Sequence, residues 1–391
     1  MISVNEARKI LAENLTRGGS VEIQVSEAAG YVVYRDIVSP ADVPAFDNSA
    51  MDGYALAWGK NRESWTVVVE IPAGSAKNFR LSEGEAARIF TGSPMPEGAD
   101  TVIPQEQIER TGNIIQYTLP GFGTGANVRY KGTQIRTGEL MMQRGTLLSA
   151  GGVGLLASVG FATVEVFAPP VLSVIVTGSE LRTPGEPLTH GAIFDSNSPM
   201  LKAALNRLGV RKIYTSRVAD NEPELRKNIE KELNKSDVVI ISGGISVGDY
   251  DFVKTSLAGL GVKELFYKVK QRPGKPIFAG KLENKWVFAL PGNPASVLSC
   301  FSHYVKPCIR YFMGHNNVWN PDITLPLAED SIKKKGLTFF MKAYTENGKV
   351  HLAEGQQSFN LIAFSKADCF AELPEDVDFV EAGTSVNIYF L

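Results

Sequence analysis

Cysteine and histidine are scarce in this chain of 391 residues. The three cysteines, Cys300, Cys308 and Cys369, form an odd number without CxxC spacing, which argues against a disulfide framework and a thiolate zinc site. The four histidines are scattered, and none has the i, i+4 spacing of a helical metal site. We interpret these residues as structural, so that general base chemistry and metal binding fall to carboxylates.

Net charge and long apolar runs are also absent. The formal charge of −2, from 40 basic and 42 acidic residues, provides no global field that would attract nucleic acid or anionic lipid. No apolar run reaches the roughly 20 residues of a membrane span, and the opening segment MISVNEARKILAEN is amphipathic, unlike a signal peptide. We expect a cytoplasmic protein without nucleic-acid or membrane partners, in which any anion site is built locally.

The pattern of residues changes along the chain and predicts several domains. Ser3 and Glu6 form an S-x-x-E capping box, so the chain opens with a helix of about four turns. Short β-branched runs separated by turns follow, then a small-residue helix and a strand, an α/β region and a final β region. The predicted domains are a discontinuous N-terminal α+β domain of residues 1–38 and 138–168, an inserted β domain of residues 39–137, an α/β domain of residues 169–316 and a C-terminal β domain of residues 317–391.

Three apolar strands in the α/β region each end in a Gly-rich or Pro-rich turn. They are VLSVIV before TGSEL, DVVIIS before GGISVGDYDF and WVFAL before PGNP, and a helix is expected after each turn, near Ser198 in the first case. Continuous apolar runs are typical of a parallel sheet covered on both faces, and the loops at its carboxyl edge line the ligand crevice. The three turns should therefore converge on one site.

The turn GGISVGDYD is the first candidate for that site. Backbone N–H groups around its glycines can form an anion nest, and Ser246, Asp249 and Asp251 add a hydroxyl and two carboxylates. The turn matches neither the Walker nor the dinucleotide-binding pattern, and a plain β–α turn is the alternative interpretation.

The stretch YKVKQRPGKP is a second candidate because its cations recur with period two. Lys268, Lys270 and Arg272 would project from one face of a strand, with Lys275 on the turn that follows. The alternative is a solvated edge strand protected by lysines. Carboxylates of Glu180 and Asp251 in neighbouring loops would suit a divalent hard cation, most often magnesium, beside a phosphate site.

Six motifs along the chain are, in order, FDNSAMDGYA, TGSPMPEGAD, TGSEL, SGGISVGDYDF, RPGKP and LPGNPAS. They resemble those of the molybdopterin molybdenumtransferase family, which includes the MoeA proteins and the E domain of gephyrin, and the resemblance covers essentially the whole chain. It implies an α/β and β multidomain fold: a molybdopterin-binding α/β domain with a parallel sheet, an inserted β domain and a C-terminal β barrel-like domain, in an elongated homodimer. It also implies that molybdate is inserted into adenylylated molybdopterin with Mg²⁺-dependent release of AMP, which gives molybdenum cofactor. A molybdopterin adenylyltransferase would act upstream.

The resemblance implies a role for each matching residue. Asp52 is a critical acid that reaches the α/β domain of the partner subunit in an intersubunit active site, and Thr91 lies nearby. The expected catalytic residues are Asp52, Thr91, Glu180, Asp220 and Asp251, and the expected metal ligands are Asp52, Glu180 and Asp251. Molybdopterin and AMP phosphate are expected at Gly243, Gly244, Ser246, Gly248, Lys268, Pro291, Gly292 and Asn293. Molybdate is expected at Arg272, Lys275, Ser296, Lys342 and Ser358.

Four positions depart from the family pattern. Gln134 replaces a carboxylate, Lys342 stands where arginine is common, Arg272 where lysine is frequent and Ser179 where aspartate is frequent. The exchange at Lys342 gives up bidentate oxyanion recognition. Three alternatives therefore stay open: a divergent paralogue that inserts tungstate, a non-catalytic dimeric scaffold of the gephyrin type, and a molybdopterin adenylyltransferase.

Overall fold

The computed structural model describes residues 1–59, 62–117, 121–245 and 252–391. It divides into two compact units, each described by itself below. Unit 1 consists of Met1–Glu22, Gly30–Tyr34 and Glu165–Leu391, and unit 2 of Ile23–Ala29 and Arg35–Val164. The four domain boundaries predicted from the sequence stay a prediction.

Helix α1 (Val4–Glu13) confirms the predicted capping box. The Ser3 hydroxyl accepts from the Glu6 N–H at 3.1 Å, and the Ser3 N–H donates to the Glu6 carboxylate at 2.7 Å. The helix ends at Glu13 and is therefore shorter than the predicted four turns. Its apolar face, formed by Val4, Ala7 and Leu11, is buried in the large core cluster of unit 1.

Unit 2 is built around a six-stranded sheet, and its described residues contain no α-helix between residues 35 and 149, as predicted. In chain order from the start to residue 142, the strands are β1 (Ser20–Gln24), β2 (Ile37–Val38), β3 (Asn48–Ser49), β4 (Gly53–Leu56), β5 (Ser64–Ile71), β6 (Glu85–Ile89), β7 (Thr101–Pro104), β8 (Ile108–Thr111), β9 (Ile114–Tyr117), β10 (Val128–Arg129) and β11 (Leu140–Met142). The sheet order is β7-β4-β6-β5-β9-β8. Strand β4, the second in this order, is buried on both faces, since Tyr54 and Leu56 join one apolar cluster and Ala55 joins another. The predicted small-residue helix and strand follow as α2 (Ala150–Ser158) and β12 (Thr163–Phe167).

A second six-stranded sheet forms the α/β part of unit 1. Its elements and connections are β13 (Leu172–Thr177), β14 (Leu181–Arg182), β15 (Ile193–Phe194), α3 (Asn197–Arg207), β16 (Ile213–Val218), α4 (Glu222–Lys235), β17 (Val238–Ser242), α5 (Phe252–Gly259), β18 (Lys263–Tyr267), β19 (Gln271–Arg272), β20 (Phe278–Leu282), β21 (Lys285–Leu290), α6 (Pro294–Cys300) and α7 (Lys306–Phe312). The order is β16-β13-β17-β21-β20-β18. The first four strands are parallel, as predicted, whereas β20 and β18 extend the sheet with antiparallel pairing. Helix α3 begins at Asn197, one residue before the predicted start.

A π-helical segment, Phe301–Val305, joins α6 to α7, so Cys300 and Cys308 lie on one continuous helical run. Pro307 accounts for the change of pitch because proline lacks an N–H and its ring clashes with the carbonyl four residues earlier. All three cysteines are buried free thiols.

The prediction that Lys268, Lys270 and Arg272 share one face of a single strand is wrong. Strand β18 ends at Tyr267, and Lys268 adopts a left-handed conformation with φ +68°, which breaks the strand. The next strand, β19, leaves the α/β sheet and pairs in parallel with the C-terminal sheet.

The C-terminal part of unit 1 is barrel-like, as predicted. Its strands are β22 (Ile323–Pro326), β23 (Ser331–Ile332), β24 (Thr338–Glu346), β25 (Lys349–Leu352), β26 (Cys369–Leu373), β27 (Phe379–Val380) and β28 (Ser385–Phe390). The sheet runs β19-β24-β26-β28-β22, with β25 also paired to β24. It curves back on itself because Val350 of β25 bridges Leu327, which directly follows β22. Within the described ranges, no helix combines the length and apolar character that crossing a bilayer requires.

Gly53 is a packing constraint at the start of β4. A Cβ atom at this position would lie 2.0 Å from the carbonyl oxygen of Ile103 on the neighbouring strand. We predict that Gly53→Ala lowers the free energy of unfolding by more than about 2 kcal/mol, since backbone must move to accommodate the methyl group. Urea denaturation followed by circular dichroism measures this change.

Gly151→Ala is the matched control. Gly151 lies in helix α2, and the nearest atom to its Cβ would be the Ser149 hydroxyl at 3.7 Å. This change should be neutral or stabilise the protein by up to about 1 kcal/mol, because alanine favours helix. Equal effects of the two substitutions would contradict the packing argument.

Candidate functional site

The turns after β13, β17 and β21 meet at the carboxyl edge of the parallel strands. A Cβ on Gly243 would lie 2.7 Å from the Thr177 carbonyl oxygen, and one on Gly244 would lie 3.0 Å from the Thr177 hydroxyl. A Cβ on Gly292 would lie 3.9 Å from Gly243 Cα. Gly243, Gly244 and Gly292 therefore come together, next to Pro291, whose carbonyl accepts a 3.4 Å hydrogen bond from Ser242. The predicted residues Ser246, Gly248 and Asp251 lie outside the described residues.

Asn197 connects these turns, and sequence reasoning did not identify it. Its side-chain N–H₂ donates to the Ser242 hydroxyl at 3.0 Å and to the Gly292 carbonyl at 2.8 Å. Its position is fixed by Asp195, whose carboxylate accepts from the N–H groups of Asn197 and Ser198, both at 3.0 Å. The DSNSP segment carried a signal for a helix start, because serine, aspartate and asparagine are common at helix N-termini.

Two of the predicted acids follow adjacent parallel strands at this edge. Glu180 follows β13 and Asp220 follows β16, and both are exposed. A Cβ on Gly178 would lie 2.9 Å from both carboxylate oxygens of Glu180, so that side chain folds back over the end of its strand. Neither acid forms a salt bridge with another described residue.

The carboxylate side chains at this edge are of the type that binds magnesium. No group of three or more His, Cys, Asp or Glu side chains capable of holding a metal occurs among the described residues. Magnesium, however, usually takes one or two carboxylates together with substrate phosphates and water. Glu180 and Asp220 could therefore supply carboxylate oxygens, while Asp251 lies outside the described ranges.

The RPGKP turn is held against helix α6. The Gln271 side-chain N–H₂ donates to the Pro273 and Gly274 carbonyls, both at 3.1 Å, and its carbonyl accepts from the Tyr304 hydroxyl. Gly274, with φ +80°, packs so closely that a Cβ would lie 2.4 Å from Cys300 Sγ. Gln271, which the sequence pattern did not single out, thus fixes the turn that carries Arg272 and Lys275.

The cations of this stretch have different environments. Lys270 pairs with Glu375 at 3.2 Å, and the Lys268 ammonium lies 4.7 Å from the centre of the Tyr267 ring. Arg272 and Lys275 are exposed and form no ion pair within the described part of the chain, although the Arg272 guanidinium lies 5.8 Å from the centre of the Phe339 ring. These two side chains are therefore accessible to an anion.

A loop of the C-terminal barrel, residues 355–360, brings Ser358 to the start of α6. The Ser358 hydroxyl accepts from the Asn293 side-chain amide at 2.9 Å, and the Ser358 carbonyl accepts from the Ala295 N–H at 3.0 Å. Ser296, one residue further along α6, is buried. The structure thus brings together Asn293, Ser296 and Ser358, which the resemblance had selected.

Lys342 is buried in strand β24, with 2% of its surface exposed. Its ammonium donates to the carbonyls of Gly355 at 2.5 Å, Gln357 at 3.1 Å and Asn360 at 2.9 Å. Desolvation by burial lowers the pKa of this ammonium below its ordinary value. Its donors point into the loop, in contrast to the exposed Arg272 and Lys275.

Asp52 and Thr91 are in direct contact in unit 2. One carboxylate oxygen of Asp52 accepts from both the backbone N–H and the hydroxyl of Thr91, each at 2.8 Å. These hydrogen bonds, with the positive charge of Arg88, hold the pKa of the Asp52 carboxyl below its ordinary value. Asp52 is exposed, so an ionised carboxylate is presented to solvent.

Two of the positions that depart from the family pattern, Ser179 and Gln134, are also exposed. The Ser179 carbonyl accepts from Arg182 at 3.0 Å, and the backbone N–H of Gln134 donates to the Val43 carbonyl at 2.9 Å. Nothing in the structure explains either exchange.

Three family models together match most of the chain. Residues 2–160 match the MoeA N-terminal region (domain I and II), residues 173–311 match a probable molybdopterin binding domain, and residues 324–391 match the MoeA C-terminal region (domain IV).

Relatives and solved structures agree with these models over the whole length. The chain is 36% identical to the molybdopterin molybdenumtransferase of Haemophilus influenzae, with 99% of this chain and 98% of that protein aligned. It is 31% identical to the Staphylococcus aureus protein of the same name, with 99% and 95% aligned. A crystal structure of the molybdopterin biosynthesis MoeA protein from Pyrococcus horikoshii superposes with a TM-score of 0.83 at 31% identity and covers 100% of this chain and 99% of that one. This chain therefore belongs to the molybdopterin molybdenumtransferase (MoeA) family.

Proposed function

We propose that the protein inserts molybdate into adenylylated molybdopterin, releases AMP and so completes molybdenum cofactor. Its family and the names of its relatives support a role in molybdenum cofactor biosynthesis. The observation that carries the proposal is the accessible pair Arg272 and Lys275 on a turn packed against α6, where Ser358 is also held.

This arrangement suits a tetrahedral dianion. An oxyanion needs cations and hydroxyl donors that are already in position, and charge-assisted hydrogen bonds are the strong ones. Arg272 can donate two parallel hydrogen bonds, and Lys275 adds a point charge. Ser358 and the buried Ser296 would complete the site with hydroxyl groups.

The substrate's phosphates are proposed to lie at the carboxyl edge of the parallel strands. Gly243, Gly244, Pro291, Gly292 and Asn293 form the described part of this surface, and Ser246, Gly248 and Lys268 complete the proposed set. The Gly243 N–H already donates to the Leu290 carbonyl at 3.1 Å, and proline has no N–H. The N–H groups of Gly244, Gly292 and Asn293 are therefore proposed to bind the phosphate oxygens. Magnesium, when bound through Glu180, Asp220 and Asp251, would neutralise phosphate charge and polarise the bond to AMP.

Asp52 is proposed to complete this site from the second subunit of a homodimer. Its low pKa keeps it ionised near neutral pH, so it can act as a metal ligand or orient a water molecule. Thr91 holds the carboxylate in one orientation through two hydrogen bonds.

A molybdopterin adenylyltransferase would supply the substrate upstream. The three buried free thiols suit the cytoplasm, a reducing compartment.

AMP release tests the proposed activity directly. Purified protein incubated with adenylylated molybdopterin, magnesium and molybdate should release AMP, and Lys275→Ala should slow the release by about 10² because one charged donor is lost. Chromatography of the nucleotide products measures both rates. Tungstate in a parallel reaction determines which oxyanion is preferred.

Lys212→Ala is the matched control for Lys275→Ala. Lys212 is also exposed, but it precedes β16 and so lies at the amino edge of the same sheet. This variant should keep the wild-type rate. Absence of AMP release by the wild-type protein would refute the proposed reaction and favour a non-catalytic scaffold, while consumption of ATP with free molybdopterin would indicate an adenylyltransferase.

Mixed dimers test whether the active site is shared between subunits. Asp52→Asn and Lys275→Ala should each release AMP about 10² more slowly than wild type when alone, because one removes the carboxylate charge and the other a cation. Mixing the two unfolded proteins and refolding them together should restore about a quarter of wild-type activity, since half of the dimers carry one intact site of two. No recovery, with mixed dimers confirmed by native mass spectrometry, would place both residues in one subunit's site, and absence of any dimer in the mass spectrum would reject the shared site.

A further inference from the structure

Lys342 is a buried cation without an anionic partner among the described residues. An ammonium group has three N–H donors, and each one here is bonded to a carbonyl of the 355–360 loop: those of Gly355, Gln357 and Asn360. No donor of the ammonium is left for a substrate.

The backbone of Lys342 is bonded to the same part of the chain. Its N–H donates to the Gln356 side-chain carbonyl at 3.0 Å, and its carbonyl accepts from the Gln356 side-chain N–H₂ at 2.8 Å. The same carbonyl also accepts from the Ala353 N–H at 2.9 Å. The ammonium and the backbone of this one residue therefore hold the loop, and Ala353 just before it, to strand β24.

The same loop also contacts the start of helix α6. Ser358 lies between Gln357 and Asn360, whose carbonyls Lys342 binds, and it reaches Asn293 and Ala295 through its hydroxyl and carbonyl. Gly355, at φ +74°, provides the turn, and a Cβ there would lie 2.5 Å from the Asn360 side chain. The position of Ser358 thus depends on the contacts that Lys342 makes.

We propose that Lys342 is a positioning residue that orders the 355–360 loop and thereby places Ser358, and that it is not a ligand of the oxyanion. The inference rests on the proposed function for the role of Ser358. Moving the ammonium to an oxyanion would break three hydrogen bonds to carbonyls in this partly buried site, which costs free energy. A guanidinium is planar and carries its donors on three separate nitrogens, whereas here three carbonyls converge on one nitrogen, so lysine and arginine are not equivalent here.

Hydrogen–deuterium exchange tests the positioning role without an activity assay. In Lys342→Met, which keeps the apolar stem but removes the donors, amide exchange in residues 353–361 should be about tenfold faster than in wild type. Lys349→Met, an exposed change on the next strand, should leave that exchange unchanged. Unchanged exchange in folded Lys342→Met would overturn the proposal.

Kinetics separate positioning from direct binding. Lys342→Met and Ser358→Ala should each raise the KM for molybdate by about tenfold, and the double variant should show no further increase, because both changes act through one contact. Lys342→Arg should show the same defect as Lys342→Met. A double variant with multiplied defects, or an arginine variant with a wild-type KM, would indicate direct binding instead.

Chemical labelling of the wild-type protein decides the question even if the variants do not fold. Acetic anhydride followed by mass spectrometry should modify Lys275 and leave Lys342 unmodified, with or without molybdate, since Lys275 is exposed and Lys342 is buried. The proposal would be overturned if Lys342 were acetylated in the absence of molybdate and protected in its presence. Because labelling and exchange need no turnover, they remain decisive if AMP release is not observed.

Discussion

The contact between the 355–360 loop and the first residues of helix α6 is the constraint on which the candidate site depends. Two hydrogen bonds at Ser358 join the C-terminal barrel to Asn293 and Ala295 of the α/β part. The RPGKP turn packs on the same helix from another direction through Gly274. Side chains from separate sheets are thereby held in fixed positions, which is what recognition of a compact oxyanion requires.

The path of the chain between the two sheets of unit 1 explains how Arg272 and Lys275 reach the candidate site. Strand β18 belongs to the α/β sheet and β19 to the C-terminal sheet, and the left-handed Lys268 marks the change. Ile2 bridges Val269 within this crossing. Arg272 and Lys275 consequently lie where the sheets join, on backbone fixed by Gln271, and their charges stay accessible while Lys270 is paired with Glu375.

Local patterns predicted most of the elements, because capping boxes, apolar strands and Gly-rich turns depend on neighbouring residues. The break at Lys268 and the parallel pairing of β19 with β24 could not be predicted this way, since they depend on partners distant in sequence. The same holds for Asn197 and for Lys342, whose carbonyl partners become apparent only when the loop is folded. Asp52 and Thr91 were identified by resemblance to a family, and no composition or spacing argument would have paired them.

The proposed oxyanion site contains the accessible cations Arg272 and Lys275 together with Ser358. Lys342 positions the loop that carries Ser358. A crystal structure of the wild-type protein with tungstate, with tungsten located by anomalous scattering, tests that site most directly. We expect tungsten in contact with Arg272, Lys275 and Ser358, while the Lys342 ammonium stays bonded to the 355–360 loop. Tungsten in contact with Lys342, or bound away from the RPGKP turn, would contradict it.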